Sequence, residues 1–289
     1  MIPTINTTVL MSGADYFDDQ AAINPFMDKT VAINRAVAQA EHTAIKAALE
    51  QAGIKVIKVD PPVNCQDGVY TANWAVIRGD KAVLSTLPNA RKAEEPYAEQ
   101  ILKDLGKTIY KVPDGLHFSG QGDALPCGNY LFCGSGYRTD PAAHQFLADT
   151  LGYQVISLQT IPQLDVGGQP VINADSGWPD SYFYDIDLAL SVLSPTLIAW
   201  CPDAFTPESQ AKIRALTDLD KIEVSLQEAE KAFACNLVST GETVVMSATA
   251  PDLKANLEAK GFQVVTPQIT ELAKGGGYIR CTTLTLDNK

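Results

Sequence analysis

Cys281 follows three consecutive glycines, in Lys274-Gly-Gly-Gly-Tyr-Ile-Arg280-Cys281. Glycines let backbone amides approach a ligand closely and adopt conformations closed to other residues. A cysteine next to Arg280 could be held partly as thiolate, the nucleophilic form. The same run also fits a glycine loop entering an ordinary strand that carries a small buried Cys. The chain has five other cysteines, Cys65, Cys127, Cys133, Cys201 and Cys235, with no C-x-x-C pair and no zinc-finger spacing. Six scattered cysteines in a chain this long read as reduced thiols of a cytoplasmic protein. Cys127, Cys133, Cys201 and Cys235 fall near strand ends and read as packing residues. Only three histidines exist, His42, His117 and His144. They leave no His-rich metal site and few candidates for proton transfer. His42 lies in a long helical stretch and His144 where a helix starts, so both read as structural. No metal and no organic cofactor is expected.

The elements that must position Cys281 follow from an internal repeat. A unit of amphipathic helix, glycine turn and β-branched strand occurs at 47–59, 100–112, 146–158 and 256–267. A weaker copy at 213–226 has Asp-Leu-Asp where the others have Gly. Glycine ends a helix well because it accepts the left-handed conformation there, and the alternating strand after it reads as half-buried. Each copy has further strand-like runs beside it, at 69–85, 129–136, 188–200 and 242–249. Five copies predict five similar α/β modules in a single domain over 1–289. The alternative from the same alternation is a doubly wound parallel sheet. No G-x-G-x-x-G follows a strand and no Walker A run occurs, so nucleotide binding has no support. The longest interval between turns contains 160–181, rich in Gly, Pro and Asp, which is loop chemistry. A loop of this size is usually functional or disordered. It precedes Asp185 directly, so it could form a lid, with Trp178 as an apolar wall.

Composition narrows the function. The chain has 289 residues, 46% apolar and 19% charged, with a formal charge of −12. That composition belongs to folded proteins. The acidity argues against general binding to nucleic acid or anionic membrane, which needs clustered Lys and Arg. No apolar stretch approaches a membrane span, and the N-terminal segment lacks the basic region of a signal peptide.

Several stretches, in order, carry a resemblance: Ile23-Asn-Pro-Phe-Met27, Asp67-Gly-Val-Tyr-Thr-Ala-Asn73, Phe118-Ser-Gly-Gln-Gly-Asp123, Gly136-Tyr-Arg-Thr139, Phe183-Tyr-Asp-Ile-Asp187 and the glycines up to Cys281. Together they resemble the guanidine-modifying (pentein, amidinotransferase) superfamily, nearest to dimethylarginine dimethylaminohydrolase-like and arginine deiminase-related proteins. The resemblance runs nearly end to end. It implies a five-bladed α/β propeller of pseudo-symmetric modules around a central site. It implies Cys281 as nucleophile on the central carbon of a guanidinium or ureido group, through a covalent intermediate. It implies Arg138 as binder of a substrate carboxylate, whose shape suits its planar fork. Arg91 is a second candidate for that role, though its position before a helix also suits a solvated surface residue. Asn73 stands where the family places an acidic partner of the guanidinium. An amide both donates and accepts, so it tolerates a guanidinium or a neutral ureido group; Asn73 also fits a turn cap. Asp67, Asp123 and Asp187 keep the acidity an arginine-like cation requires.

Two positions depart from the family. Asp185 stands where the family's general acid/base His opens a His-x-Asp motif, and Ser119 where its acidic partner stands. The changes agree with each other, because a residue that orients His has no task once His is gone. Asp185 could serve as the base, since like charges held close push a proton onto one of a pair. His117, two residues before Ser119, would share its side of a strand. The expected activity is hydrolysis of a linear C–N bond in a small guanidino or ureido amino acid. The alternatives are a catalytically inactive relative that binds such a ligand, and an amidinotransferase. A homodimer is consistent with the family, though nothing in the chain demonstrates it.

Overall fold

The helix–turn–strand unit occurs five times in the folded chain, four times with glycine in the turn, and each copy ends in the parallel edge strand of its own small sheet. The structure is a computed structural model that describes residues 4–289. From the N-terminus, β1 (Thr8–Met11), α1 (Arg35–Gln51) and β2 (Lys55–Lys58) form the first module; β3 (Ala75–Arg78), β4 (Lys81–Leu84), α2 (Glu94–Asp104) and β5 (Thr108–Lys111) the second. The third has β6 (Ala124–Cys127), β7 (Tyr130–Cys133), α3 (Ala143–Leu151) and β8 (Gln154–Ser157). The fourth has β9 (Leu190–Ser194), β10 (Leu197–Trp200), α4 (Pro207–Ala215) and β11 (Asp220–Glu223), then α5 (Leu226–Ala232). The fifth has β12 (Val238–Ser239), β13 (Thr243–Val245), α6 (Pro251–Ala259) and β14 (Gln263–Val265), and the chain closes with β15 (Leu284–Thr285).

Among the described residues there are five three-stranded sheets. In each, a central strand pairs antiparallel with one neighbour and parallel with the strand beyond the helix, as β4 does with β3 and β5. In the first sheet the antiparallel partner comes from the far end of the chain: β15 pairs with β1, Val9 opposite Thr285. Five separate mixed sheets replace the single doubly wound parallel sheet that the same alternation allowed. The predicted helix ends follow their chemistry. Gly152 ends α3 at φ 74°, a left-handed conformation that would strain any other residue. The weaker copy turns without glycine, through Leu216–Leu219 after α4.

Central and antiparallel strands are mostly buried and the parallel edge strands half-exposed, as Leu131, Phe132 and Cys133 of β7 against Gln154 of β8 show. All six cysteines are reduced and buried, with no disulfide. Two carboxylates serve the fold. Glu228 accepts the amides of Asp252 and Leu253 in the first turn of α6. Glu41, on the buried face of α1, accepts the amides of Thr270, Glu271 and Leu272. Those amides open the loop that leads into Gly275–Gly277, so α1 fixes the approach to Cys281. No helix among the described residues is long and apolar enough to cross a membrane.

Candidate functional site

Cys281 sits on a turn held from several sides by main-chain contacts. The Tyr70 hydroxyl donates to the Leu272 carbonyl at 2.6 Å, Tyr184 to Gly276 at 2.7 Å, and Asn24 Nδ2 to Gly275 at 3.0 Å. The Cys281 carbonyl accepts from the amide of Ala72. The thiol is only 2% exposed. Its Sγ donates to Asp187 Oδ2 at 3.3 Å and accepts from Asn236 Nδ2 at 3.2 Å. Asn236 Oδ1 in turn accepts the Cys281 amide at 3.1 Å, so one side chain grips both the backbone and the sulfur. Asn236 follows α5, whose left-handed end at Phe233 (φ 51°) turns the chain inward. Nothing in the sequence singled Asn236 out, because neither its spacing nor its neighbours form a motif.

Burial raises the Cys281 thiol well above its ordinary pKa, and the charges of Asp187 and Asp185 push the same way. Arg280 does not hold a thiolate here, contrary to the expectation from its place in sequence: its guanidinium donates to Thr285 Oγ1. Burial lowers Arg280 to about 10, against the pull of Asp187. Burial and the two aspartates thus favour the neutral thiol of Cys281, in keeping with its donation to Asp187.

The acidic residues gather in the same interior. Asp123, Asp185 and Asp187 are each buried to 2% exposure or less. Asp187 is raised well above the usual carboxyl range by burial and then by Asp185. Asp123 is pushed up to about 8 by the same two causes, and Asp67 to about 7 by burial despite Arg91. Asp123 Oδ1 accepts the amide of Ile186 at 3.1 Å, which fixes the short 3₁₀ turn that presents Asp185 and Asp187. One oxygen each of Asp67, Asp185 and Asp187 is buried without a hydrogen-bond partner. Buried carboxyl oxygens in that condition are costly, and each calls for a donor such as a water or a ligand.

Asn73 lies in the 3₁₀ turn Thr71–Trp74. Its Nδ2 donates to Asp185 Oδ2 at 2.7 Å and lies 3.0 Å from Ser119 Oγ. Gly122 lies so close that an added Cβ would stand 2.5 Å from Asn73 Nδ2 and 2.6 Å from Asp185 Oδ2. Residue 122 therefore has to be glycine for this contact to form.

Two of the expected residues are placed differently. Arg91 is not on the surface. It is 2% exposed and ion-paired to Glu94, because the 3₁₀ turn Asn89–Arg91 points it inward beneath α2. His117 does not share a strand face with Ser119. Only an isolated bridge forms there, between Phe118 and Thr86, so the alternation needed for a shared face is absent. Its imidazole is half-exposed, 3.1 Å from Asp140 and edge-on to Trp178 with ring centres 4.7 Å apart. Its hydrogen bond and ring contact go to those two residues, not to Cys281, Asp123, Asp185 or Asp187. Arg138 is buried, lies 4.0 Å over the Tyr184 ring and donates to the Ile23 carbonyl at 2.9 Å. The 160–181 segment is tied to the 21–29 loop: Asn173 donates to the Ala22 carbonyl, and Asp175 pairs with Lys29. No group of three His, Cys, Asp or Glu side chains among the described residues is arranged to hold a metal ion.

The family model described as "N,N dimethylarginine dimethylhydrolase, eukaryotic" matches residues 14–287. The chain is similar to the N(G),N(G)-dimethylarginine dimethylaminohydrolase of Mycobacterium tuberculosis, 34% identical over 275 residues that cover 95% of this chain and 84% of that protein. It is similar to the bifunctional arginine dihydrolase/ornithine cyclodeaminase AgrE of a Nostoc species, 33% identical over 282 residues. That match covers 95% of this chain, which spans 37% of the longer protein's length. Among solved structures, the product-bound N-terminal domain of ArgZ, an arginine dihydrolase from the ornithine–ammonia cycle in cyanobacteria, matches with a TM-score of 0.87. It is 29% identical, and the match covers 97% of both chains.

Proposed function

We propose, for a chain that belongs to the N,N dimethylarginine dimethylhydrolase family, that it hydrolyses a C–N bond of a small guanidino or ureido amino acid through Cys281. The observation that carries this reading is the pair of unpartnered buried oxygens on Asp185 and Asp187 beside the Cys281 thiol. A guanidinium brings several N–H donors and one positive charge, and both are what this interior lacks.

The cation offsets the carboxyl charges that keep the thiol protonated, so the proton of Cys281 moves to the Asp185–Asp187 pair. Sγ then bonds to the central carbon of the guanidinium. The bond to the departing nitrogen breaks as the pair returns that proton to it, and a neutral amine leaves. Water attacks the sulfur-bound carbon, one of its protons passes through the aspartate pair to the sulfur as the C–S bond breaks, restoring the thiol, and the remaining proton of the cationic intermediate is released to solvent, where the amine takes it up. The products are an amine and a ureido compound. Asp185 thus takes the proton-transfer work that His does in other members, while Asp67 and Asp123 supply negative potential. Arg138 takes the substrate carboxylate, since only one of its five N–H groups makes a hydrogen bond among the described residues. The reading treats 1–289 as one domain whose five sheets stand as propeller blades around this site, with 160–181 as its cover.

The test compares wild type with Cys281→Ala on arginine, methylated arginines, citrulline and related guanidino compounds, with products read by mass spectrometry. Turnover that disappears in the variant supports the reading, and an amidino group found on an added amine assigns transfer in place of hydrolysis. Ligand-induced thermal stabilisation without product from any compound overturns hydrolysis and leaves a binding protein.

A further inference from the structure

A small cavity lies among β6, β9 and the segments that flank β1 and β15. Leu125, Leu190 and Val192 give it apolar walls, and Gln121, Arg280 and Asn6 give it polar ones. Among the described residues no carboxylate lines it. Its volume is about 40 Å³, where a single water needs roughly 10–15 Å³. The cavity shares Asn6, Pro126 and Asn288 with a larger outer hollow, lined also by Arg78, Lys289 and Asp287, which offers a route of entry.

The hydrolysis above makes no use of the Arg280 guanidinium. That side chain is buried, and among the described residues it makes one hydrogen bond, from Nη1 to Thr285 Oγ1 at 2.9 Å. Four of its five N–H groups are left over. It forms no ion pair among the described residues; Asp187 and Cys281 act on it only from a distance. Buried charges in proteins are otherwise paired or ligated, because an uncompensated one is costly. Gln121 is an independent second sign. It is fully buried. Its Oε1 accepts the Thr285 amide at 2.8 Å, which fixes the end of the side chain that is oxygen. Its NH2 group is then buried without an acceptor. Both unmet donors border one space that holds a positive charge and no negative one.

We propose that this cavity binds a halide-sized monovalent anion, such as chloride, between the Arg280 guanidinium and the Gln121 amide. One guanidinium matches a single charge. The apolar walls suit a weakly hydrated halide and offer nothing to the further oxygens of a phosphate or sulfate. The site does not depend on the hydrolysis. It does bear on the thiol, because Arg280 eases the ionisation of Asp187. An anion that offsets Arg280 makes the Cys281 proton harder to give up.

The test follows thermal unfolding of wild type in sodium bromide against sodium gluconate, whose anion is too large for the cavity, at equal ionic strength. Bromide is expected to raise Tm saturably, by about 5 °C at a hundred times the half-saturating concentration. Gln121→Glu keeps the bond to the Thr285 amide and puts a carboxylate oxygen where the NH2 group stood. It supplies the anion itself, so in gluconate its Tm is expected to reach that of bromide-saturated wild type, with no gain from bromide. Arg280→Met is expected to be equally indifferent to bromide. Crystals grown in bromide are expected to show an anomalous peak between Arg280 and Gln121. Equal stabilisation of wild type and variants, a rise that never saturates, or water without an anomalous peak overturns the proposal. The crystal decides alone should neither variant fold. Alkylation of Cys281 by iodoacetamide is expected to slow about twofold or more when bromide fills the wild-type site, and an unchanged rate overturns the effect on the thiol.

Discussion

The two halves of the buried site handle charge in opposite ways. On the Asn73 side, the ion pair of Arg91 and Glu94 is matched, with side chains 2% and 0% exposed, and its contacts run on to Asp185. On the Cys281 side, Asp187 has the thiol and the nearby charge of Arg280 to help it, and it remains raised well above the usual carboxyl range. One half is a fixed frame, and in the other burial and like charge disfavour the ionised forms of Asp187 and Cys281. The difference teaches where a substrate cation acts: it finds little to change in the frame and much to change beside the thiol.

Removing one charge from each half separates them most sharply. Glu94→Ala leaves Arg91 charged and buried without its partner, which typically costs about 3–5 kcal/mol. Asp187→Asn removes a carboxyl that burial already disfavours, so its stability is expected to equal or exceed that of wild type, while turnover is lost. Urea unfolding of both variants checks this. A large loss in Asp187→Asn with little in Glu94→Ala would reverse the assignment of frame and reactive half.

How much of this was legible beforehand depends on the range of each signal. The helix–glycine–strand unit is local, so all five copies could be read, including the one that lacks glycine. Ser119 and Asp185 could be singled out because each lies inside a short motif. Arg91 was misplaced because the local run Asn89-Ala-Arg91-Lys looks like a surface helix start; what buries it is Glu94 together with Asp67 and Tyr70 from another loop. Asn236 escaped for the same reason, since it meets Cys281 across 45 residues. His117 was assigned a strand face that depends on alternation, and only an isolated bridge forms there.

A second, smaller contrast lies in pH. Asp123 and Asp67 rise from 3.8 to about 8 and about 7 in the folded chain. Between 3.8 and those values the folded state binds more protons than the unfolded one. Stability therefore falls as pH rises through that window and levels off above it. Each group contributes a slope of up to about 1.4 kcal/mol per pH unit. Asp123→Asn removes its share, so the unfolding free energy of the variant is expected to decline less steeply from pH 5 to 8. Parallel curves for wild type and variant would mean that Asp123 ionises in the fold as readily as in water.

The smallest effects belong to the 160–181 segment, and here too a buried contact and an exposed one differ. Lys29 and Asp175 join the two loops through an ion pair with side chains 47% and 37% exposed, a class that contributes about 0–1 kcal/mol and is screened by salt. Asn173 is buried at 9% exposure and organises the segment from within. Its Nδ2 donates to the Ala22 carbonyl, and its Oδ1 accepts the amides of Asp175 and Ser176 at 3.0 and 2.8 Å. Lys29→Ala is thus expected to leave both global stability and protease resistance within error of wild type. Asn173→Ala also leaves global unfolding nearly unchanged, because the segment carries little core. It frees the loop locally, however, so limited proteolysis within 160–181 should become several-fold faster, as a low-energy local opening requires. Faster cleavage in Lys29→Ala than in Asn173→Ala would mean that the exposed pair, not the buried amide, fastens the segment.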